Sequence, residues 1–179
     1  EGTTKATFGR KLGALVRDPL KFGALWQMVF MNFVVSFPGI FMAAKLEDIF
    51  RVWPLRQERL VLTGHWHILS GIVATIILLL YADLAGLKGW VRQLFGWIII
   101  VFSDLAFGAT LVFMIRRMFV TEYGEGPLVR TVTVVMDVGL GAVLLTLAAL
   151  MVWRLIDLFG PRGRWRQELT EFTAEEVTL

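Results

Sequence analysis

The chain has 179 residues, of which 56% are hydrophobic, and its mean hydropathy of +0.67 argues against a water-soluble fold, since soluble domains contain about 45–50% apolar residues. Cysteine is absent, which excludes disulfides, thiolate-bound iron–sulfur clusters and thiol nucleophiles. The formal net charge is +3, but the basic residues flank apolar runs, a placement that indicates membrane topology rather than nucleic-acid binding.

Residues 1–21 form a basic segment with an amphipathic pattern. Its apolar residues recur at helical spacing: Phe8, Leu12, Leu15 and Val16. The pattern predicts a short helix on the membrane surface that ends at Asp18, because Pro19 disfavours a helical conformation in the preceding residue. The alternative is a simple positive topology signal.

Four apolar runs follow, each about 23 residues long and therefore long enough at 1.5 Å per residue to cross a hydrocarbon core of ~30 Å. The predicted spans are 22–44, 60–82, 93–115 and 131–153. The short charged connections favour antiparallel neighbours, so residues 22–155 are predicted to form an all-α, up-down four-helix bundle in the membrane. Residues 156–179 are predicted to be a polar C-terminal tail. Pro38-Gly39 predicts a kink in the first span.

Lysine and arginine residues are unevenly divided between the two predicted sides of the membrane. Eleven lie on the side that holds both termini and seven on the other. The positive-inside rule therefore predicts that both termini are cytoplasmic. We expect the chain to reside in the cytoplasmic membrane of a bacterium or archaeon.

Ionisable side chains inside the spans are His65, His67, Asp104 and Asp137. Each costs ~2.5–3.5 kcal/mol at a helix centre on insertion scales, so each requires a partner or a function. His65, His67 and Asp137 are predicted at similar depths from the same side, and Asp104 near the middle of its span. Asp104 is expected either on a proton path or in an interhelical hydrogen bond, for example to Ser103, Thr110 or a backbone group.

The two histidines are the only ones in the chain and lie in the segment TGHWHILSG, residues 63–71. Residues two apart on a helix point about 200° from each other, so His65 and His67 cannot chelate one ion together and must face different neighbours. A haem suits this arrangement, because imidazole is a good axial iron ligand and the macrocycle prefers an apolar slot. Asp137 and Ser70 are candidates to hold the second ring nitrogen. Alternatively, the histidines are interfacial and bond to neighbouring helices or lipid headgroups.

The segment Gly64-His65-Trp66-His67 resembles the Gly-His-x-His motif on one transmembrane helix of haem-copper oxidase and nitric oxide reductase catalytic subunits. In that family the two histidines face opposite sides of the helix and ligate two different haems. The resemblance implies that His65 and His67 are axial ligands of haem b iron. The family's further histidines are absent, so the chain is not such an oxidase by itself. A remaining ligand must come from a methionine, a partner subunit or a second copy.

Met136 is predicted at the depth of His65 on another helix, which makes a haem with histidine and methionine ligands geometrically conceivable. Otherwise Met136 fills the core or faces lipid.

Together these features predict a b-type-haem-binding membrane subunit of a respiratory or redox complex. Its expected role is electron transfer within an oxidoreductase complex rather than catalysis alone. The expected partners are lipid, a quinone, and other membrane or peripheral subunits or a second copy, with no nucleic acid. One alternative is a non-catalytic accessory subunit, and another is a small proton or solute transporter. Motifs of soluble enzymes, such as a phosphate-binding glycine loop, are absent from the sequence.

Overall fold

A computed structural model of the chain describes residues 8–119 and 126–160. All elements in these ranges are helical. They are α1 (Phe8–Val16), α2 (Pro19–Phe30), a π-helical segment (Met31–Val35), α3 (Ser36–Ala44), α4 (Leu46–Val52), α5 (Leu55–Leu84), α6 (Gly89–Phe119) and α7 (Pro127–Phe159). The chain divides into two compact units, one up to Val143 and one from Leu144 onward. The second unit, as described, consists of the rest of α7 and Gly160.

Four helical stretches are long and apolar enough to cross a membrane. They are Pro19–Ala44, Gln57–Leu84, Gly89–Arg116 and Pro127–Phe159. Each contains one of the spans predicted from the sequence, so the prediction of an all-helical chain with four such helices is confirmed. The helices extend past the predicted spans because helical hydrogen bonding can continue into the charged flanking turns. Of the predicted C-terminal tail, residues 161–179 lie outside the described ranges, as do residues 1–7 of the N-terminal segment.

The amphipathic pattern near the N-terminus does form a helix, α1, which ends at Val16. The next helix begins at Pro19, three residues before the predicted span. Proline is favoured at a first helical position because its missing N–H would have no partner there. Asp18 therefore occupies the position just before α2, with an extended backbone and no capping bond from its side chain.

The irregularity in the first span lies before the predicted kink. Pro38 and Gly39 are helical residues of α3, whereas the preceding turn, Met31–Val35, is π-helical. Proline lacks an N–H and its ring crowds the carbonyl four residues earlier, so the hydrogen-bond pattern is disturbed in the turn before the proline. The Ser36 hydroxyl donates to the Met31 carbonyl at 3.0 Å within this turn.

An arginine joins the ends of three helices at one end of the first unit. Arg92 donates from Nη2 to both oxygens of Asp18, at 2.7 and 2.8 Å, and from Nε to Oδ1 at 3.0 Å. Nη2 also donates to Asp83 at the end of α5. The Arg92 side chain is only 18% exposed. In the sequence Arg92 is only one of the charges that indicate topology, but in the fold it holds the ends of α2, α5 and α6 together.

Gly139 of α7 packs closely against α6. A Cβ at this position would lie 2.6 Å from the Phe102 carbonyl oxygen and 2.9 Å from the Ala106 Cβ. Such distances are too short for real contacts, and the backbone oxygen cannot move aside as a flexible side chain would. The absence of a side chain at Gly139 therefore permits this helix contact.

We expect Gly139→Ala to lower the free energy of unfolding by about 1–3 kcal/mol, the usual cost of forced overpacking. Gly141→Ala is the matched control, because a Cβ there would meet nothing within 4 Å. Unfolding in detergent, followed by tryptophan fluorescence, compares the two variants. Equal stabilities would contradict the close α6–α7 contact.

Candidate functional site

His67 lies on α5 with one of its ring nitrogens held by its own helix. Its Nδ1 lies 2.7 Å from the Thr63 carbonyl oxygen. A carbonyl only accepts, so this bond assigns the N–H to Nδ1 and leaves the Nε2 lone pair available. A metal-ligating histidine commonly has this arrangement, with the second nitrogen donating to a carbonyl.

The His67 ring lines a cleft of about 780 Å³ formed by α5, α6 and α7. Aromatic and apolar side chains make up most of the wall, among them Trp66, Phe107, Phe113, Met136 and Leu140. The volume falls within the range of about 300–1,000 Å³ typical of small-molecule and cofactor sites. The site thus combines one nitrogen ligand, one sulfur atom and a largely apolar wall.

His65 is placed differently, against the first span. Its ring atoms Cε1 and Nε2 lie 3.0 Å from the position where a side chain on Gly39 would begin. Its Nδ1 is buried and has no hydrogen-bond partner among the described residues. His65 is not among the residues that line the cleft of His67. The edge of the His65 ring that carries Nε2 therefore faces Gly39 of α3.

Met136 shares the cleft with His67 and not with His65. The similar predicted depths of Met136 and His65 favour a pairing of these two residues. Depth along the membrane normal does not report the direction in which a side chain points, and the structure brings Met136 to the other histidine.

Ser70 also lines the cleft, but neither Ser70 nor Asp137 holds a histidine nitrogen in the described structure. Asp137 is exposed on α7 and makes no recorded hydrogen bond to either ring. The Thr63 carbonyl has the role predicted for these side chains. The sequence does not indicate this carbonyl. Every helical residue has a backbone carbonyl four positions before another residue, so no residue type distinguishes the one that bonds His67.

Asp104 lies in a separate polar cluster between α2 and α6. Trp26 Nε1 donates to Oδ2 and Gln27 Nε2 donates to Oδ1, each at 2.7 Å. Gln27 Nε2 also lies 3.1 Å from the Ser103 hydroxyl oxygen. Asp104 thus makes interhelical hydrogen bonds, but its donors come from α2 rather than from Ser103, Thr110 or a backbone group.

Bare metal ions have no obvious site in the described part of the chain. Within residues 8–119 and 126–160, no group of three or more histidine, aspartate or glutamate side chains could hold one. A haem differs from a bare ion because its macrocycle supplies four nitrogen ligands, so the protein needs to provide only one or two. The donor set of His67 and Met136 is compatible with that requirement.

Comparisons with known proteins give no relative for this chain. No family model matches it, and neither the curated proteins nor the solved structures contain a match.

Proposed function

We propose that the chain is a membrane subunit that binds one b-type haem in the cleft of His67 and transfers electrons within a redox complex. The observation that carries the proposal is the placement of His67. Its Nδ1 is fixed by the Thr63 carbonyl while its ring lines a large, mostly apolar cleft that also contains Met136. These are the ligands and surroundings that a haem requires.

The residues of the cleft have distinct roles in this proposal. His67 would hold the haem through Nε2, and the bond from Nδ1 to the Thr63 carbonyl would orient the ring and increase its basicity. Met136 would supply a thioether sulfur to the haem, and such a ligand would raise the reduction potential. Phe107 and Phe113 keep water away from the site. The haem, when bound, supplies reversible one-electron oxidation and reduction at its iron.

The tight packing of His65 on Gly39 supports one haem per chain rather than the two that the motif resemblance implies. His65 then has a structural role between the first and second spans.

The proposal retains the up-down order of the four helices, with both termini on the cytoplasmic side of a bacterial or archaeal membrane. The excess of lysine and arginine on the side of the termini supports this orientation. A membrane quinone and further subunits, or a second copy, are the proposed redox partners.

Haem content of the full-length protein tests the proposal. The chain is produced in cells supplemented with a haem precursor, purified in mild detergent as a monodisperse species, and analysed as the pyridine haemochrome against protein concentration. We expect one haem b per chain. A folded, colourless protein under these conditions would exclude the proposal and favour the accessory-subunit or transporter alternatives.

A further inference from the structure

Asp137 is an ionisable residue of the fourth span for which the described residues provide no partner. Its side chain is exposed on α7, and it forms no hydrogen bond or ion pair with another described residue. Asp104, by contrast, accepts two hydrogen bonds from α2, and His67 bonds to the Thr63 carbonyl. An ionisable side chain inside a span normally faces the interior of a helix bundle and pairs with a polar group there. Asp137 therefore indicates a polar partner outside the described residues.

The depth of Asp137 places its carboxyl group in the apolar part of the span. Asp137 lies six residues after the start of the predicted span 131–153, which corresponds to ~9 Å along a helix at 1.5 Å per residue. Long basic side chains can extend from such a depth to the membrane surface, but aspartate has a single methylene group and cannot. Contact with lipid alone would leave the carboxyl group without any hydrogen-bonding partner.

The packing of Gly139 shows in which direction Asp137 points. Gly139 faces α6, because a Cβ there would lie 2.6 Å from the Phe102 carbonyl oxygen. Residues two apart on a helix point about 200° from each other, so Asp137 lies on the face of α7 that is turned away from α6. In addition, only 17% of the most apolar stretch of α7 is buried, compared with 39% in the third span. The face around Asp137 is thus available to another helix.

The residues one turn before and after Asp137 permit close approach of a partner helix. They are Thr133 and Gly141, which lie on the same face of α7. A Cβ at Gly141 would meet nothing within 4 Å, so open space adjoins this position. Small residues let the backbones of two membrane helices approach closely, and this brings a polar side chain beside them within reach of the second helix.

A second copy of the chain is a poor partner for this face. Two copies with the same orientation in the membrane would bring Asp137 of each protomer to the same depth, so two carboxyl groups would face each other. Arg130 lies on the same face of α7 but seven residues, or ~10.5 Å, nearer to the membrane edge. Its side chain leans further toward the start of the helix and away from Asp137. The charge of this face is complementary instead to a basic side chain of a different protein.

We propose that the outer face of α7 around Asp137, which includes Thr133 and Gly141, is an interface for a transmembrane helix of a different subunit. That helix carries an arginine or a lysine at the depth of Asp137, and the basic side chain pairs with the Asp137 carboxylate. Its backbone packs against Gly141. The interface is separate from the cleft of His67, and the proposal does not depend on haem binding there.

Association of the full chain with synthetic transmembrane peptides in phosphatidylcholine vesicles tests the proposal. Three leucine-rich peptides of about 23 residues carry arginine, glutamate or leucine about seven residues from one end, which matches the depth of Asp137. The chain has no cysteine, so Leu128→Cys provides a single site for a fluorescent label, and energy transfer to a labelled peptide measures association. We expect the arginine peptide to associate about fivefold more strongly than the leucine peptide.

Two substitutions in the proposed interface should reduce this association. Asp137→Asn removes the charge and keeps the shape, so it should remove most of the preference for the arginine peptide. Gly141→Leu fills the space beside Asp137 and leaves the carboxylate intact, and it should weaken association as well. Ala43→Leu is the matched control, because it adds bulk at an exposed position of α3, and it should associate as the wild type. His67→Ala should also associate as the wild type.

Four results would overturn parts or all of the proposal. Equal association of the arginine and leucine peptides, or unchanged association in Asp137→Asn, would exclude the interface. Equal association of the arginine and glutamate peptides would exclude charge pairing, because Asp137 would then act only as a neutral hydrogen-bonding group. Energy transfer between differently labelled copies of the chain that is lost in Asp137→Asn would assign this face to a homodimer instead.

Discussion

Replacement of His67 by alanine is expected to abolish haem binding, whereas replacement of His65 should leave most of it intact. The His67 ring lines the cleft, and its Nδ1 is already fixed by the Thr63 carbonyl. Removal of the ring would leave only Met136 of the two residues that we propose to hold the haem, and a single thioether would be a weak ligand for iron. The measurement is the Soret absorbance per mole of purified protein.

His65→Ala is the matched control, since it removes a histidine from the same helix two residues away. The substitution removes the packing contact with Gly39 and a buried Nδ1 that has no hydrogen-bond partner among the described residues. It should therefore change the stability of the protein more than its haem content. Loss of haem in His65→Ala with retention in His67→Ala would reverse our assignment. Equal losses would support two haems, as the motif resemblance implies.

Arg92→Ala is expected to cause a large loss of stability. Without the guanidinium, Asp83 loses the arginine that pairs with it, and Asp18 keeps only the Lys21 ammonium, 3.7 Å from its Oδ2. Breaking a buried ion pair costs about 3–5 kcal/mol, and the partial exposure of both carboxylates favours the lower end, about 3 kcal/mol. The midpoint of thermal unfolding in detergent measures the effect.

Arg51→Ala controls for the loss of an arginine that forms an ion pair. Arg51 pairs with Glu47 at 2.9 Å, but the two side chains are 76% and 72% exposed. Exposed pairs contribute little, so the unfolding midpoint should barely change. If Arg92→Ala changed the unfolding midpoint as little as Arg51→Ala, Arg92 would not hold the three helix ends together.

The four apolar helices could be predicted from the sequence because the thickness of a bilayer sets the length of an apolar run. The amphipathic helix α1 was also accessible from residue spacing alone. These features depend on residues close together in the chain.

Contacts between distant residues were not accessible in the same way. Arg92 and Asp18 are separated by 74 positions, and Trp26 and Asp104 by 78. Hydropathy indicates that such polar groups need partners, but it does not identify them. The rotation of each helix about its axis decides the pairing, and that rotation results from the packing of all the neighbouring side chains.

The histidine pair illustrates the same distinction. Helix geometry predicts that His65 and His67 face different neighbours, and the rings do lie against different elements. Which neighbour each ring meets depends on the glycine at position 39 and on the cleft between α5, α6 and α7. Neither feature can be recognised from the TGHWHILSG segment alone.

The location of iron in an experimental structure of the haem-loaded protein tests the central claim most directly. Anomalous diffraction at the iron absorption edge should show a single site per chain within bonding distance of His67 Nε2, in the cleft that Met136 also lines. An iron site at His65, or a cleft filled by lipid chains with no iron, would contradict the assignment of the cleft as a haem site.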